Sequence, residues 1–479
     1  MRRAVLLASP VVAALALFAC EDSGSGGGTG VFTSEAGTFE AGPPSEAGPV
    51  GDSAVDAPVA PKSVTVSVVR GLGPSAGVTV VFHDAAGAVL ESKVTGSDGR
   101  ATSSDGVVPA QASLLLGGGG SNRHIITWTA VEPGDVLVAR DKDNGSDPGG
   151  SLAVVTQGTF ADGGAATMTA SVGDCTGYSQ TSPIQIFLGN ACTRSTAAIL
   201  ARALGPGAGN SPVLAYAFAK GKPSAPVDGG VGSVAVGPWI GPTTTKVTPK
   251  NLPSETSANA VLYEIADGLG ILNETGSLSR IDPATTYLVA PGFADAYQAG
   301  ARIYPANAVG AVISIARRGA PAATNDIDFA GAPAVIDSAT LDTTTIAQPS
   351  VAWTTQGGAS LATMDGGAIV LSWYDQRESS GTWTFVVPPG SKSVKAPTLP
   401  KAAEAWAPHG ANDAGGAVTF QDPTVIFAEA DILPGYADFR KGAGLVLPLT
   451  NQYQPEARAI LPANGTIKLT SYRILPPNL

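Results

Sequence analysis

The sequence contains little charge, little histidine and little cysteine. Only 14% of its 479 residues are charged, and it has three histidines and three cysteines. The histidines, His83, His124 and His409, lie far apart and show no HExxH or HxH spacing. A metal centre built from them would need distant segments to converge. The spacing indicates ordinary surface or strand-edge histidines.

Basic residues and long apolar runs are scarce as well. The chain has 28 Lys and Arg residues against 39 Asp and Glu residues, which gives a net charge of −11. An acidic chain repels phosphate backbones, so we expect no nucleic-acid partner. Beyond the first 20 residues no stretch has the length of continuous apolar sequence that a membrane-spanning helix requires.

Turn-forming residues are abundant. The sequence has 60 Gly and 37 Pro residues, and short bursts rich in Val, Thr, Ile and aromatic residues lie between them. This pattern favours many short strands over helices. We predict an all-β chain of tandem, Ig-like β-sandwich modules that follow a disordered tether.

The N-terminus has the layout of a secretory signal peptide. Arg2 and Arg3 precede an apolar run over 4–17, which is followed by Leu-Phe-Ala-Cys ending at Cys20. The small residue before Cys20 resembles the lipobox of bacterial lipoproteins, although Phe18 departs from the family pattern. The resemblance implies a signal peptide over 1–19, a diacylglycerol on the Cys20 sulfur and an acylated new amino end. A membrane-spanning helix, for which the run is short, and an ordinary signal peptide are the alternatives.

Residues 20–61 predict a disordered, acidic tether rich in Gly, Ser and Pro. The segment begins with a Gly/Ser run, and a short Glu-Ala-Gly unit then recurs. Its apolar side chains are too few to offset the entropy of ordering the chain.

Residues 62–141 predict a small β-sandwich. Alternating segments over 64–69, 78–82 and 89–94 are separated by Gly-Pro and Asp-Gly turns. The stretches GLGPSAGVTV and TGSDGRA resemble the carboxypeptidase regulatory-like repeats of the transthyretin-like, Ig-like class. The resemblance implies a fold and a spacer or binding unit, and it implies no catalysis.

Residues 148–345 predict a β-rich domain with one disulfide. Cys175 and Cys192 are the pair that remains if Cys20 carries lipid, and an even pair in an exported chain indicates a disulfide. The bursts at 197–204 and 212–219 predict a hairpin, with a helix over the first burst as the competitor. The apolar stripe in 257–272 is the best helix candidate of the chain.

Residues 346–479 predict a second sandwich. The segments 368–374 and 381–387 alternate and form the clearest hairpin. Trp353, Trp373, Trp383 and Trp406 also lie here. They favour core positions over a sugar-stacking surface, because tryptophan in a β-sandwich is usually buried.

Two motifs could carry chemistry. Gly73–Gly77 matches the GxSxG nucleophile elbow, but a predicted strand follows where a helix is needed, so we expect Ser75 in an exposed loop with no catalytic role. Asp141, Asp143 and Asp147 have the spacing of an acidic Ca²⁺ loop, which lacks other ligands that an EF-hand supplies. A polar linker is the alternative for these three residues.

The sequence thus predicts a bacterial envelope protein, lipid-anchored at the outer membrane or the periplasmic face. Its expected role is non-catalytic display, scaffolding or binding. The expected partners are the membrane, through the lipid, and a surface polysaccharide or protein. No catalytic residue is predicted, and no cofactor is expected other than Ca²⁺ at the acidic loop. The alternative is an exported enzyme or carbohydrate-binding protein with its site in 148–345.

Overall fold

The computed structural model confirms the predicted all-β class. Its strands group into four β-sandwich modules, which we name A (63–141), B (150–240), C (243–328) and D (336–474). The structure describes residues 63–70, 73–117, 122–141, 150–157, 167–173, 175–188, 192, 196–206, 211–223, 231–253, 256–278, 284–374, 380–409, 418–431, 433–441 and 464–474.

Module A places a four-stranded antiparallel sheet, in the order β4-β3-β6-β7, against a sheet built on β1. In β1, Val66 and Val68 are buried, whereas Ser67 and Val69 are half-buried. Every second residue of the strand therefore faces the core, as the alternation in the sequence predicts. The strands are β1 (Thr65–Arg70), β2 (Gly73–Pro74), β3 (Thr79–His83), β4 (Val89–Val94), β5 (Arg100–Thr102), β6 (Gln111–Leu116), β7 (Asn122–Thr129) and β8 (Val136–Asp141).

Module B has sheets of order β11-β10-β13-β14 and β12-β9-β15. The bursts predicted as a hairpin are β13 and β14, which pair as expected, so the helical alternative is excluded. The strands are β9 (Gly150–Thr156), β10 (Thr167–Val172), β11 (Cys175–Ser179), β12 (Ile184–Leu188), β13 (Ala197–Leu204), β14 (Val213–Lys222) and β15 (Val231–Val236).

Module C has sheets of order β18-β17-β20-β21 and β19-β16-β22. The helix predicted over 257–272 is wrong. Those residues form most of the β17–β18 hairpin, whose turn places Asp267 and Gly268 at positive φ. The strands are β16 (Thr243–Lys250), β17 (Thr256–Ala266), β18 (Leu269–Leu278), β19 (Thr285–Val289), β20 (Ala296–Pro305), β21 (Ala311–Gly319) and β22 (Thr324–Asp328).

Module D contains the predicted hairpin, β25–β26. The predicted boundary between residues 345 and 346 separates β23 from β24, two strands that pair. The elements are β23 (Ile336–Asp342), β24 (Ser350–Thr355), β25 (Gly366–Tyr374), β26 (Ser380–Val387), β27 (Ser393–Lys395), β28 (Thr419–Ala430), the helix α1 (Gly435–Lys441) and β29 (Gly465–Arg473).

Modules A, B and C repeat one strand order. When the two-residue β2 is left out of the count, the first strand of each module lies between the fourth strand and the last one, and it runs parallel to the last. Module D repeats this order, except that the place of the last strand is taken by β23, which precedes β24 and runs antiparallel to it. The four modules are therefore variants of one sandwich.

Modules C, D and A share a single twelve-stranded sheet. The four-stranded sheets of the three modules join edge to edge, because β29 pairs antiparallel with β21 and β26 pairs parallel with β7. We call these two contacts the C–D seam and the A–D seam. The four-stranded sheet of module B is not part of this ladder.

Strands at the contacts between modules are buried on both faces. In β13, Ala197 and Ile199 face the core of module B, whereas Ala198 and Leu200 pack against module C. In β6, Leu114 faces the core of module A, whereas Leu115 packs into the core of module D. Their continuous apolar sequences follow from this double burial. Within the described residues no helix has the length and apolar character needed to cross a bilayer.

Candidate functional site

Half of the six predicted site residues fall outside the part of the chain that the structure describes. Cys20, Asp143 and Asp147 lie outside the described residues, and Asp141 is the last residue of β8. The described residues contain no cluster of three or more His, Cys, Asp or Glu side chains that could hold a metal ion. The calcium hypothesis therefore stays a prediction.

The predicted disulfide is confirmed. Cys175 and Cys192 are bonded, with their Cα atoms 6.1 Å apart. Cys175 begins β11, and Cys192 is buried in the core of module B. The bond ties the chain that follows β12 back to the start of β11.

Ser75 is buried, so the prediction of an exposed loop was wrong. Its side chain is 4% exposed, and its backbone is held by Val68 and by the hydroxyl of Thr95. The Gly-Pro turn folds back under the first sheet instead of standing in solvent. Neither of these two hydrogen bonds of Ser75 involves a histidine.

A buried chain of polar side chains crosses from module A into module D. The His83 Nε2 and Ser113 Oγ atoms are 2.9 Å apart, and Ser113 Oγ is 2.9 Å from Thr127 Oγ1. The indole N–H of Trp383 donates to Thr127 Oγ1 at 2.9 Å. These four residues lie on the adjacent strands β3, β6, β7 and β26, so the chain spans the A–D seam.

The His83 Nε2 and Ser113 Oγ atoms are as close as the base and the nucleophile of a serine hydrolase, but their surroundings do not suit catalysis. Both side chains are 0% exposed. Burial lowers the pKa of His83 to about 4, an effect that the nearby Asp84 carboxylate partly opposes, so the imidazole is neutral at pH 7. His83 Nδ1 has no hydrogen-bond partner among the described residues, and thus no carboxylate orients the ring. The arrangement serves to satisfy buried polar groups.

The tryptophans of module D are core residues, as the sequence favoured. Trp353, Trp373 and Trp383 are at most 4% exposed, and Trp406 is half-buried. Trp383 stacks on Phe385 with ring centroids 5.3 Å apart. The four rings therefore do not form a binding surface.

A shallow cleft of about 390 Å³ lies at one end of the A–D seam. Small residues line most of it, together with Gln111 and Lys395. Gln111 lies opposite His83 in the β3–β6 ladder, and its Oε1 atom is buried without a hydrogen-bond partner in the described chain. The cleft carries one cation and no carboxylate.

The outer face of the β12-β9-β15 sheet carries an exposed aromatic side chain. In β12, Ile184, Ile186 and Leu188 point into the core, so Gln185 and Phe187 point outward. Phe187 is 82% exposed. Small and uncharged residues continue this face across the ladder, although Ala153 in the middle strand is buried. We name the whole set the Phe187 face: Ser151, Ala153, Val155, Gln185, Phe187, Ser233 and Ala235.

A second exposed aromatic residue lies on the other sheet of module B, and it points to the opposite side of the sandwich because the neighbouring Gly177 pairs with the core residue Ala170. Tyr178 of β11 is 71% exposed. A Cβ atom on the neighbouring Gly177 would lie 1.9 Å from the Gln185 carbonyl oxygen, so β11 and β12 approach to backbone contact there. Sequence reasoning missed both aromatics. The alternation Ile-Gln-Ile-Phe-Leu was the available signal, because a period of two places Phe187 opposite the core.

A buried carboxyl lies where module B docks on module C. Glu264 of β17 is 0% exposed and accepts hydrogen bonds from Asn273 Nδ2 at 2.9 Å and from the Ala290 N–H at 3.1 Å. Burial raises the pKa of Glu264 to about 7, although the Arg202 charge and the two hydrogen bonds oppose the rise. The pKa of Tyr297, its ladder partner, rises to about 12, chiefly through burial and also through the Glu264 charge.

Two of three comparisons with known proteins found no match to this chain. No protein-family model and no curated protein matches it. Among solved structures, the TIE protein of Bacillus anthracis aligns over 56% of this chain and 50% of its own length, with 12% identity and a TM-score of 0.15. At that TM-score the likeness carries no argument about fold or function.

Proposed function

We propose that this protein is a lipid-anchored component of a bacterial cell envelope with a scaffolding and display role. A diacylated Cys20 would hold the chain at a membrane, and the tether over 20–61 would separate the membrane from the modules. The observation that carries the proposal is the twelve-stranded sheet, because backbone ladders fix modules A, C and D as one body. Such a body presents its surfaces in a constant geometry.

We further infer that the resemblance of module A to carboxypeptidase regulatory-like repeats extends to modules B and C. The support is their common strand order, including the parallel pairing of the first and last strands. A chain built from copies of one module suits a spacer or a binding array better than it suits a single catalytic domain.

Anchoring is tested by metabolic labelling with a fatty acid, followed by membrane fractionation. The wild-type protein should take the label and sediment with membranes, and Cys20→Ala should lose both properties. Phe18→Ala is the matched control, because it keeps Cys20 and brings position 18 closer to the family pattern. Label that persists in Cys20→Ala would refute the anchor.

Rigidity is tested by a spin-label distance between the two ends of the large sheet. Val94 of β4 and Leu272 of β18 are exposed on its opposite edge strands. Twelve strands spaced about 4.8 Å apart predict one narrow peak at roughly 50 Å, shortened by twist. A broad distribution would show that the modules move independently and would remove the basis for display in a fixed geometry.

The alternative function is an exported enzyme or a carbohydrate-binding protein with its site in 148–345. The buried His83–Ser113 pair gives no support to an enzyme, because it has no access to a substrate. The exposed ring of Phe187 in module B favours the binding role instead.

A further inference from the structure

We propose that the cleft at the A–D seam is a docking site for the tether of the same chain, and that one Glu-Ala-Gly unit of the tether adds to it as a short antiparallel strand. The cleft has a volume of about 390 Å³, which lies in the lower part of the range of about 300–1,000 Å³ that is common for ligand sites. The docking does not depend on the lipid anchor, because both partners belong to one chain. Its consequence for display rests on the proposed function.

An open strand edge forms part of the wall of the cleft. Strand β27 is the last strand of the β23-β24-β27 sheet, and all three of its residues, Ser393, Val394 and Lys395, line the cleft. Residues 85–87, in the turn between β3 and β4 of module A, form another part of the wall. The cleft therefore lies beside a strand that has a neighbouring strand on one side only.

The ladder between β24 and β27 leaves the backbone groups of Ser393 and Lys395 free. Lys392 and Ala396 bond towards β24, through the Lys392 carbonyl at 2.9 Å and the Ala396 N–H at 2.9 Å. Residues of an antiparallel strand alternate between those that bond to the partner strand and those whose backbone groups face away from it. Ser393 and Lys395 belong to the second set, so their N–H and C=O groups point to the open edge. Within the described residues these four groups have no backbone partner.

The open edge selects an extended peptide of small residues. Four backbone groups in a row match a strand of about three residues, which binds through main-chain hydrogen bonds. Most of the other lining residues are small, and they include Ala85, Ala86, Gly87, Ala110 and Ala130. Walls of this kind pack against a chain that itself has small side chains.

The charge at the open edge selects an acidic residue. Lys395 is exposed and is the single cation among the described residues of the lining, which include no carboxylate. Asp342 lies in the same row of the ladder as Lys395, but two strands away. A Glu residue on an added strand would lie on the adjacent strand, about 4.8 Å away. The two side chains then form an opposite-charge cross-strand pair.

The tether contains a matching peptide three times. Glu-Ala-Gly occurs at 35–37, 40–42 and 46–48. In an antiparallel register, Glu lies opposite Lys395 and Gly lies opposite Ser393, so both exchange backbone hydrogen bonds with the edge. The Ala methyl group then lies on the face of the sheet to which the buried β27 side chain points. The unit therefore matches the edge in length, charge and side-chain size.

The tether joins the modules close to the cleft. Ser63, the first described residue, accepts a hydrogen bond from the Gly134 N–H at 2.9 Å. The next residue, Asp135, bonds to Arg440, which also donates to the carbonyl of Ala130 in the cleft lining. Fourteen residues separate the last Glu-Ala-Gly unit from Ser63, and a coil of that length spans roughly 20 Å. This span brings the unit within reach of the cleft.

Docking sets the free length of the tether. A segment of the same chain acts at an effective concentration in the millimolar range, so an interaction that is weak between separate molecules is sufficient. Only one unit can occupy the edge at a time. The choice of unit then sets the length of chain between Cys20 and the modules, which makes the tether a spacer of adjustable length.

Zero-length cross-linking of the purified exported protein tests the docking. A carbodiimide condenses a carboxylate with an amine that touches it, and mass spectrometry of the digest identifies the joined residues. We expect cross-links from the Glu residues of the three units to Lys395, about fivefold or more above those to Lys392. Lys392 is an exposed lysine of the same segment outside the cleft lining. A mixture of isotope-labelled and unlabelled protein shows whether the joined residues come from one copy.

Variants of the tether separate strand pairing from simple charge attraction. Gly37→Pro, Gly42→Pro and Gly48→Pro, combined in one chain, keep every Glu but remove the N–H that bonds to Ser393. Cross-linking to Lys395 should then fall about fivefold, to the level of the reference lysine. Because the changes lie in the tether, outside the four modules, a failure of the modules to fold cannot explain the loss.

The matched control adds three prolines outside the units, as Thr29→Pro, Thr33→Pro and Ser53→Pro, and should cross-link as the wild type does. The proposal is wrong if the cross-links do not favour Lys395 over Lys392, or if the glycine-to-proline variant leaves them unchanged. Cross-links that join only labelled to unlabelled copies would also overturn it, because the edge would then be a contact between two molecules. None of these measurements depends on fatty-acid labelling, so a failure of the lipid anchor is distinguishable from a failure of the docking.

Discussion

Module D and module B are attached to their neighbours in different ways. Eight residue pairs of β21 and β29 form the ladder of the C–D seam, and seven pairs of β7 and β26 form that of the A–D seam. Module B meets module C through side chains, with Phe218 packed edge-on against Phe293 and the Tyr216 hydroxyl donating to the Leu288 carbonyl. A ladder gives hydrogen-bond partners to the backbone N–H and C=O groups along the paired edges, whereas the contact between modules B and C depends on a few side chains. We therefore expect modules A, D and C to unfold together and module B to separate first.

The largest effect should follow from Trp383→Ala at the A–D seam. The change removes a fully buried ring, its stacking on Phe385 and its hydrogen bond to Thr127. We expect a loss of about 3–5 kcal/mol in the free energy of unfolding, measured by urea denaturation. Trp406→Ala, at a half-buried ring, should cost clearly less. Equal costs for the two variants would mean that the seam is not a principal source of stability.

Module C should become less stable as the pH rises, because Glu264 and both of its hydrogen-bond partners, Asn273 and Ala290, belong to this module. The pKa of Glu264 is about 7 in the folded protein against 4.5 as its usual value, so the folded state binds more protons between these limits. Stability from this group is therefore full below pH 4.5 and falls by about 3 kcal/mol as the pH rises through 7. Glu264→Gln should remove the dependence. Hydrogen exchange of β17 at several pH values measures it, and an unchanged pH slope in the variant would contradict the assignment.

The A–D seam should respond to pH in the opposite sense. The pKa of His83 is lowered from 6.5 to about 4, so the folded state binds fewer protons than the unfolded chain between these values. The contribution is full above pH 6.5, and about 3 kcal/mol is lost as the pH falls through 4. Denaturation midpoints at pH 7 and pH 4.5 measure the loss, and His83→Gln should flatten it. A seam that is equally stable at both pH values would show that His83 is already charged when folded.

The smallest effect should come from the Lys220–Asp295 ion pair between modules B and C. The two charged atoms are 2.7 Å apart, but both side chains are partly exposed. Such pairs contribute about 0–1 kcal/mol, so Lys220→Ala should barely change the exchange of β13, and less still at high salt. A cost comparable to that of the Glu264 contacts would mean that charge, rather than apolar packing, holds module B in place.

Local features of the fold could be predicted from the sequence, whereas its assembly could not. The β25–β26 hairpin and the disulfide followed from alternation and from cysteine number, which are properties of one or two segments. The predicted helix over 257–272 was wrong because β17 is covered on both of its faces. Apolar residues then occupy both faces of the strand, and the period of two that would identify a strand is lost. The repeated strand order was hidden, because the modules share a pattern of pairing and no fixed spacing of residues.

The Phe187 face, too, could be predicted only in part from the sequence. Alternation in β12 could have placed Phe187 outside the core, but only the ladder shows that Ser151 and Ser233 lie on the same face. For Ser75, the predicted turn was right and the predicted exposure was wrong. The turn chemistry predicted a loop correctly, and only the packing of that loop under Val68 and Thr95 reveals its burial.

The parallel closing pairs of modules A, B and C have a mechanical consequence. Because the first and last strands run in the same direction side by side, the chain enters each of these modules at one end of the pair and leaves at the other. Tension along the chain then slides one strand past the other, and the evenly spaced hydrogen bonds bear the load together instead of opening one at a time. If Cys20 anchors the chain as we propose, this shear geometry sets the rate of forced unfolding, and hence the pull that the modules withstand.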